Sequence, residues 1–110
     1  MGSKEEAMDI QLRVIDYAYT EALNGFANTS MSRALGRHVE DVASVTVTLR
    51  DLNGPRGGVD QCAKATIRLR HSARALTVQC IAEDAYGALR SVSSKARTAV
   101  RRALEKRKAA

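Results

Sequence analysis

Residues 83–108, EDAYGALRSVSSKARTAVRRALEKRK, decide how the rest of the chain is read. Apolar side chains recur at Ala85, Ala88, Leu89, Val92, Ala96, Ala99, Val100 and Ala103. At about 100° per residue they fall on one stripe of an α-helix. Arg90, Arg97, Arg101 and Lys108 form a second line, roughly 120–160° round from the stripe's centre. Lys95, Arg102 and Lys106 flank the stripe on its other side. One face of this helix packs and the remainder offers cations.

The charge distribution sharpens the contrast. From Asp84 to Ala110 there are eight Lys/Arg against two acids, whereas residues 1–83 carry ten of each sign. The whole formal excess of +6 therefore sits on one helix and its tail. Such an asymmetry is the electrostatic footprint of a polyanion binder. A solvated helix surface laced with salt bridges would balance its bases with acids, and this one does not.

At 110 residues the chain suits one domain with a single modest core. Three Tyr, one Phe and no Trp leave that core to Val, Leu, Ile and Ala. No apolar run approaches the roughly 18 residues of a membrane span, and no signal-peptide core follows the N-terminus. A cytoplasmic protein with no membrane partner is the expectation. Residues 1–7, MGSKEEA, are polar, either native or an expression remnant, with Met8 as an alternative start. They stand outside a domain expected to span residues 8–108.

Working back towards the N-terminus, four segments alternate with the period of a half-buried strand. Residues 9–15 turn Ile10, Leu12 and Val14 one way, and residues 42–50 turn Val45, Val47 and Leu49 inward. Residues 61–70 do the same with Ala63, Ala65, Ile67 and Leu69, and residues 76–82 with Leu76, Val78, Cys80 and Ala82. Between the first two lies a helix opened by Thr20 as cap, with Leu23, Phe26, Ala27, Met31 and Leu35 on it and Gly36 as its expected stop. Gly25 and the Asn28-Thr29-Ser30 run weaken its intrinsic propensity, so packing must hold it. The order β-α-β-β-β-α predicts a two-layer α+β domain: a four-stranded sheet with both helices on one face. A right-handed strand–helix–strand crossover makes the first two strands parallel, and the rest form an antiparallel meander.

Little in the chain suggests catalysis. Cys62 and Cys80 fall on opposite faces of their strands, so their sulfurs point apart, and Cys80 reads as a small core residue. A zinc site from these cysteines with His38 and His71 lacks a close-spaced ligand pair. Of two adjacent acid pairs, Glu40-Asp41 and Glu83-Asp84, the second sits at a helix start and reads as a cap. Residues 53–58, NGPRGG, lack the Lys-Ser/Thr ending of a phosphate-binding loop and lead into a strand, so they read as a connection. No cofactor, metal or small-molecule substrate is implied. Scarce aromatics argue against base-stacking on single strands and favour the phosphate backbone and shape of structured RNA.

Several segments together resemble the ribosome hibernation promoting factor family, also called ribosome-associated inhibitor A, protein Y or sigma-54 modulation protein. They are Thr20-Glu21-Ala22-Leu23, Val42 to Val47 (VASVTV), Asn53 to Asp60 (NGPRGGVD), and Glu83 to Leu89 (EDAYGAL) with Lys95, Arg101 and Arg102 beyond it. The E-D-x-Y-x-A-[IL] helix start is the most specific. The resemblance runs from about Met8 to Lys108 and implies a fold similar in outline to double-stranded RNA-binding domains. Because the sequence stops at Ala110, before the C-terminal domain that pairs ribosomes in long members, the resemblance implies a short-form factor, or else a fragment or a divergent paralogue. Such a factor binds the small ribosomal subunit and intact ribosomes in the cleft between head and body. There it overlaps the paths of messenger RNA and of A- and P-site transfer RNA.

In that family the basic residues of both helices contact ribosomal RNA. Lys95, Arg101 and Arg102 match the second-helix positions; Arg90, Arg97, Lys106 and Lys108 rest on the helical wheel. The first helix departs from the family's charge-rich pattern, offering only Arg33, Arg37 and His38 late in its course. A monomer is expected. The alternatives are a general double-stranded RNA-binding module, whose Gly-rich lysine motif is missing here, and a regulator that binds protein. An enzyme is disfavoured for want of any nucleophile, base and metal set.

Overall fold

The computed structural model describes residues 8–15, 18–52 and 60–109, with the side chain of Ala109 excepted. Its elements are β1 (Asp9–Ile15), α1 (Glu21–Leu35), a 3-10 turn (Gly36–His38), β2 (Val42–Asp51), β3 (Gln61–Leu69), β4 (Ala75–Ala82) and α2 (Ala85–Ala109). The expected loop at 53–58 lies outside the described residues, as does the segment 1–7.

The strands form one sheet in the order β1-β2-β3-β4. β1 runs parallel to β2, with Leu12 opposite Val47 and Val14 opposite Leu49. The other two pairings are antiparallel, and the register shifts once, between Val42 and Ser44. This is the α+β fold that the alternating pattern predicts. α1 packs against β1 and α2, and α2 lies across β3 and β4. Both helices therefore cover the face that carries Val45, Val47, Leu49, Ala63, Ala65 and Ile67, each fully buried. Small side chains at Ala63, Ala65, Ala88 and Ala96 let α2 sit close on the sheet.

α1 begins where the Thr20 hydroxyl accepts a hydrogen bond from the Leu23 amide at 3.1 Å. Thr20 itself is extended, at φ −130° and ψ 155°, as a capping residue should be. Leu23, Ala27, Met31 and Leu35, spaced by four, bury its inner stripe. The Asn28 amide group donates to the Asn24 carbonyl at 2.9 Å and to Asn24 Oδ1 at 3.2 Å, tying one turn to the next where propensity is low. The α-helix ends at Leu35 with Gly36 as its C-cap, as expected, but not through a left-handed residue. The Gly36 φ of −58° and ψ of −33° are right-handed, so the chain tightens into the 3-10 turn instead of leaving through a left-handed cap.

α2 is anchored as its acidic start suggests. Asp84 Oδ1 accepts from the Gly87 amide at 2.7 Å, and the Asp84 carbonyl accepts from Ala88 at 3.0 Å. Ala88, Leu89, Val92, Ala96 and Val100 are buried to 1% exposure or less. Ala85, Ala99 and Ala103 are half-buried at the margins. Ser93 shares the buried stripe, which apolar periodicity overlooks; its hydroxyl is satisfied by donating to the Leu89 carbonyl at 2.8 Å.

Candidate nucleic-acid interface

Because α2 buries one narrow stripe, its cations divide between its two flanks. Arg90 and Arg97 emerge on the flank towards α1, where Arg33 meets them across a groove of about 390 Å³. Thr29, Ser30, Ser93 and Ser94 line the same groove, the Ser93 hydroxyl being already committed to the Leu89 carbonyl. All three arginines are exposed. Arginine forks and hydroxyl donors together make a surface suited to phosphate oxygens.

Phe26 holds one end of this groove in shape. The Arg90 guanidinium carbon lies 5.9 Å from the Phe26 ring centroid, within cation–π reach. Tyr86 meets the same ring edge-on, with centroids 5.1 Å apart at 81°. The contact limits where Arg90 can point. Two of the chain's few aromatic rings thus pack on each other beside the arginines.

Further along the same flank, Arg101, Arg107 and Lys108 border a second hollow of about 470 Å³. His38, Asp41 and Glu105 also line it, so its field is mixed. Lys106, Arg107 and Lys108 occupy the last turn of α2, where cations oppose the helix dipole whatever else they do. The Arg33–Arg90–Arg97 groove, by contrast, has no acidic side chain in its lining.

On the opposite flank Lys95 and Arg102 face β4 beside Val78 and Thr98. Lys95 Nζ donates to the Gln79 carbonyl at 3.0 Å, closing a backbone acceptor of the edge strand. It therefore braces helix to sheet, with two ammonium hydrogens left for other acceptors. Lys106 is exposed and lines none of these hollows. Arg37 sits exposed in the 3-10 turn and does not join Arg33 in the groove.

Cys62 and Cys80 are free thiols on opposite sheet faces, half-buried and buried respectively. Burial pushes the Cys80 thiol above its ordinary range, while nearby Lys95 pulls the other way and Cys62 adds a small upward push. Among the described residues no three His, Cys, Asp or Glu side chains gather as metal ligands, and no helix is long and apolar enough to cross a membrane.

Residues 10–108 match the family model described as sigma 54 modulation protein / S30EA ribosomal protein. The chain belongs to that family. This is the group, also known for ribosome hibernation factors, that the E-D-x-Y helix start resembles. Among solved structures that share this chain's fold, a ribosomal subunit interface protein from Coxiella burnetii superposes with a TM-score of 0.72 at 17% identity, over 94% of this chain and 100% of that one. The N-terminal domain of Thermus thermophilus Protein Y gives 0.71 at 18% identity, over 86% and 98%. No curated protein matches significantly by sequence.

Proposed function

We propose that this chain is a ribosome hibernation factor: it binds the small ribosomal subunit near the messenger RNA and A/P-site transfer RNA channel and blocks translation by occupancy. No bond is made or broken in this mechanism. The single observation that carries it is the interhelical groove, where Arg33, Arg90 and Arg97 converge among hydroxyls with no acidic side chain in the lining. Arg101 and Lys108 extend the line towards the end of α2, and Lys95, Arg102 and Lys106 offer charge on the other flank. Backbone contacts of this kind position a protein on folded RNA without reading its sequence. Membership of the S30EA family supports the ribosome as the RNA in question. The factor acts as a cytoplasmic monomer of one domain over residues 8–108.

The test is co-sedimentation of an Arg97→Glu/Arg101→Glu variant with purified small subunits. Both side chains are exposed, so the variant should fold normally. Loss of pelleting by a folded variant is expected; wild-type pelleting would remove α2 from the contact surface. A general double-stranded RNA-binding module is the second reading, favoured only by the arrangement of helices on one face of the sheet. It requires free duplex RNA to compete with subunits on equal terms.

A further inference from the structure

The helices cover one face of the sheet; the other is open. The alternation that buries Val47 and Ala65 turns Arg13, Arg50, Lys64 and Arg68 outward, and all four are exposed. Strand register fixes their neighbours. Arg13, Thr48, Lys64 and Gln79 form one row across the four strands, and Ile15, Arg50, Cys62 and Ile81 form the next. Arg50 is thus a diagonal neighbour of both Arg13 and Lys64, at about 7–8 Å between backbones. These three cations border a concavity of about 380 Å³ floored by Thr48 and Cys62.

The charge along the strands of this face is one-sided, with exposed Asp60 just before β3, backbone-bonded to Leu52, as an acid at its rim. Within the strands its only outward acid is Asp9, in the row of Ser44 and Arg68, with Ser44 between them. Protection against edge-to-edge aggregation does not explain the pattern, because Arg50, Lys64 and Arg68 stand on the two central strands. Like charges on neighbouring positions of a sheet repel one another, so the arrangement is a cost to the isolated domain. A polyanion relieves it. The other outward side chains in the middle of the face, Thr46, Thr66, Gln11 and Thr77, are uncharged hydrogen-bonding groups in a single row. None of the outward strand positions is aromatic, so there is no platform for stacked bases. What remains is chemistry for phosphate oxygens.

We propose that the open sheet face is a second RNA-backbone contact, centred on Arg13, Arg50 and Lys64. The domain is then held between two RNA segments, one against the helices and one against the sheet. This rests on the ribosome-binding reading and deepens it: a wedge gripped on both faces bridges RNA elements that a one-sided binder would leave free to move. Apolar side chains on this face, Ile15, Leu52 and Ile81, keep to the rim at one end, Leu52 and Ile81 exposed, while the middle rows carry cations, hydroxyls and amides. The occupant is an RNA strand because this charge and hydrogen-bonding chemistry, not an apolar centre, occupies the middle of the face.

The experiment uses Arg50→Gln/Lys64→Gln in the full chain, with Arg13→Gln/Arg68→Gln as a second variant should the first melt below wild type. Binding to purified small subunits is measured by pelleting across a salt series, beside wild type. Each lost phosphate contact lowers the slope of log affinity against log salt by about 0.7–0.9, so two lost contacts change the affinity loss between about 50 and 200 mM salt by roughly tenfold. A folded variant that binds more weakly and with that shallower slope supports the inference. Wild-type affinity and slope overturn it while leaving the helix-face reading intact. Weakened binding at an unchanged slope also overturns it, since that signature belongs to a protein contact. If wild type itself fails to pellet, the ribosome-binding reading falls and takes the second surface with it.

Discussion

Neutralising the interhelical groove tests the electrostatic account quantitatively. In Arg33→Gln/Arg90→Gln/Arg97→Gln, three guanidinium groups that converge on one groove lose their charge and keep much of their length. All three are exposed, so the cost in stability is small, apart from the Arg90 contact with Phe26, worth about 0.5–1 kcal/mol at such a site. If each arginine neutralises one phosphate of structured RNA, the salt slope falls in magnitude by about 2.7. Between about 50 and 200 mM salt, wild type should then lose roughly 40-fold more affinity for the small subunit than the variant does. Equilibrium pelleting at four or five salt concentrations measures the slope, and circular dichroism confirms the fold. A folded triple variant with the wild-type slope would refute the placement of RNA in this groove.

Other expectations concern the scaffold. Leu89→Ala opens a cavity beneath α2, where the side chain is 1% exposed, and should cost about 2–5 kcal/mol in denaturant unfolding; a curve overlaying wild type would contradict its core placement. Gly25→Ala should raise stability by about 0.5–1 kcal/mol, because an added methyl group at this exposed helical position meets nothing within 4 Å. A lower melting temperature would show that the helix needs the glycine. Cys62 should react with a thiol reagent in the native protein well before Cys80, whose burial also raises its ionisation range. Because the folded state holds the Cys80 proton more tightly than the unfolded state does, its contribution to stability is intact below the ordinary thiol value of 9.0 and declines as pH rises beyond it. Cys80→Ala should flatten that alkaline decline, and an unchanged slope would assign it to other groups.

Much of this structure is legible in the sequence because its strands each have one wet face. Alternation at residues 42–50 and 61–69 fixes which side chains face the helices, and the Thr20 and Asp84 caps mark where those helices start. Local rules fail where the deciding contact is distant. Gly36 has the residue type of a left-handed stop, yet the chain continues right-handed through His38 into the turn before β2. Ser93 breaks the apolar pattern of α2 but is buried because its hydroxyl can bond the preceding turn. The cation line on α2 can be drawn from a helical wheel. That Arg33 stands opposite it, that Phe26 steadies Arg90, and that Lys95 is spent partly on an edge-strand carbonyl all depend on how α1, α2 and β4 pack. No periodicity encodes those meetings.

Co-sedimentation of the wild-type chain with purified small subunits at physiological salt, in the presence of excess free duplex RNA, tests the central claim most directly. The protein is expected to pellet with the small subunit and to resist the competitor, because the folded ribosomal RNA presents phosphates in an arrangement that a simple duplex does not. Release of the protein by duplex RNA would instead mark a general RNA-binding module, and failure to pellet at any salt would contradict ribosome binding altogether.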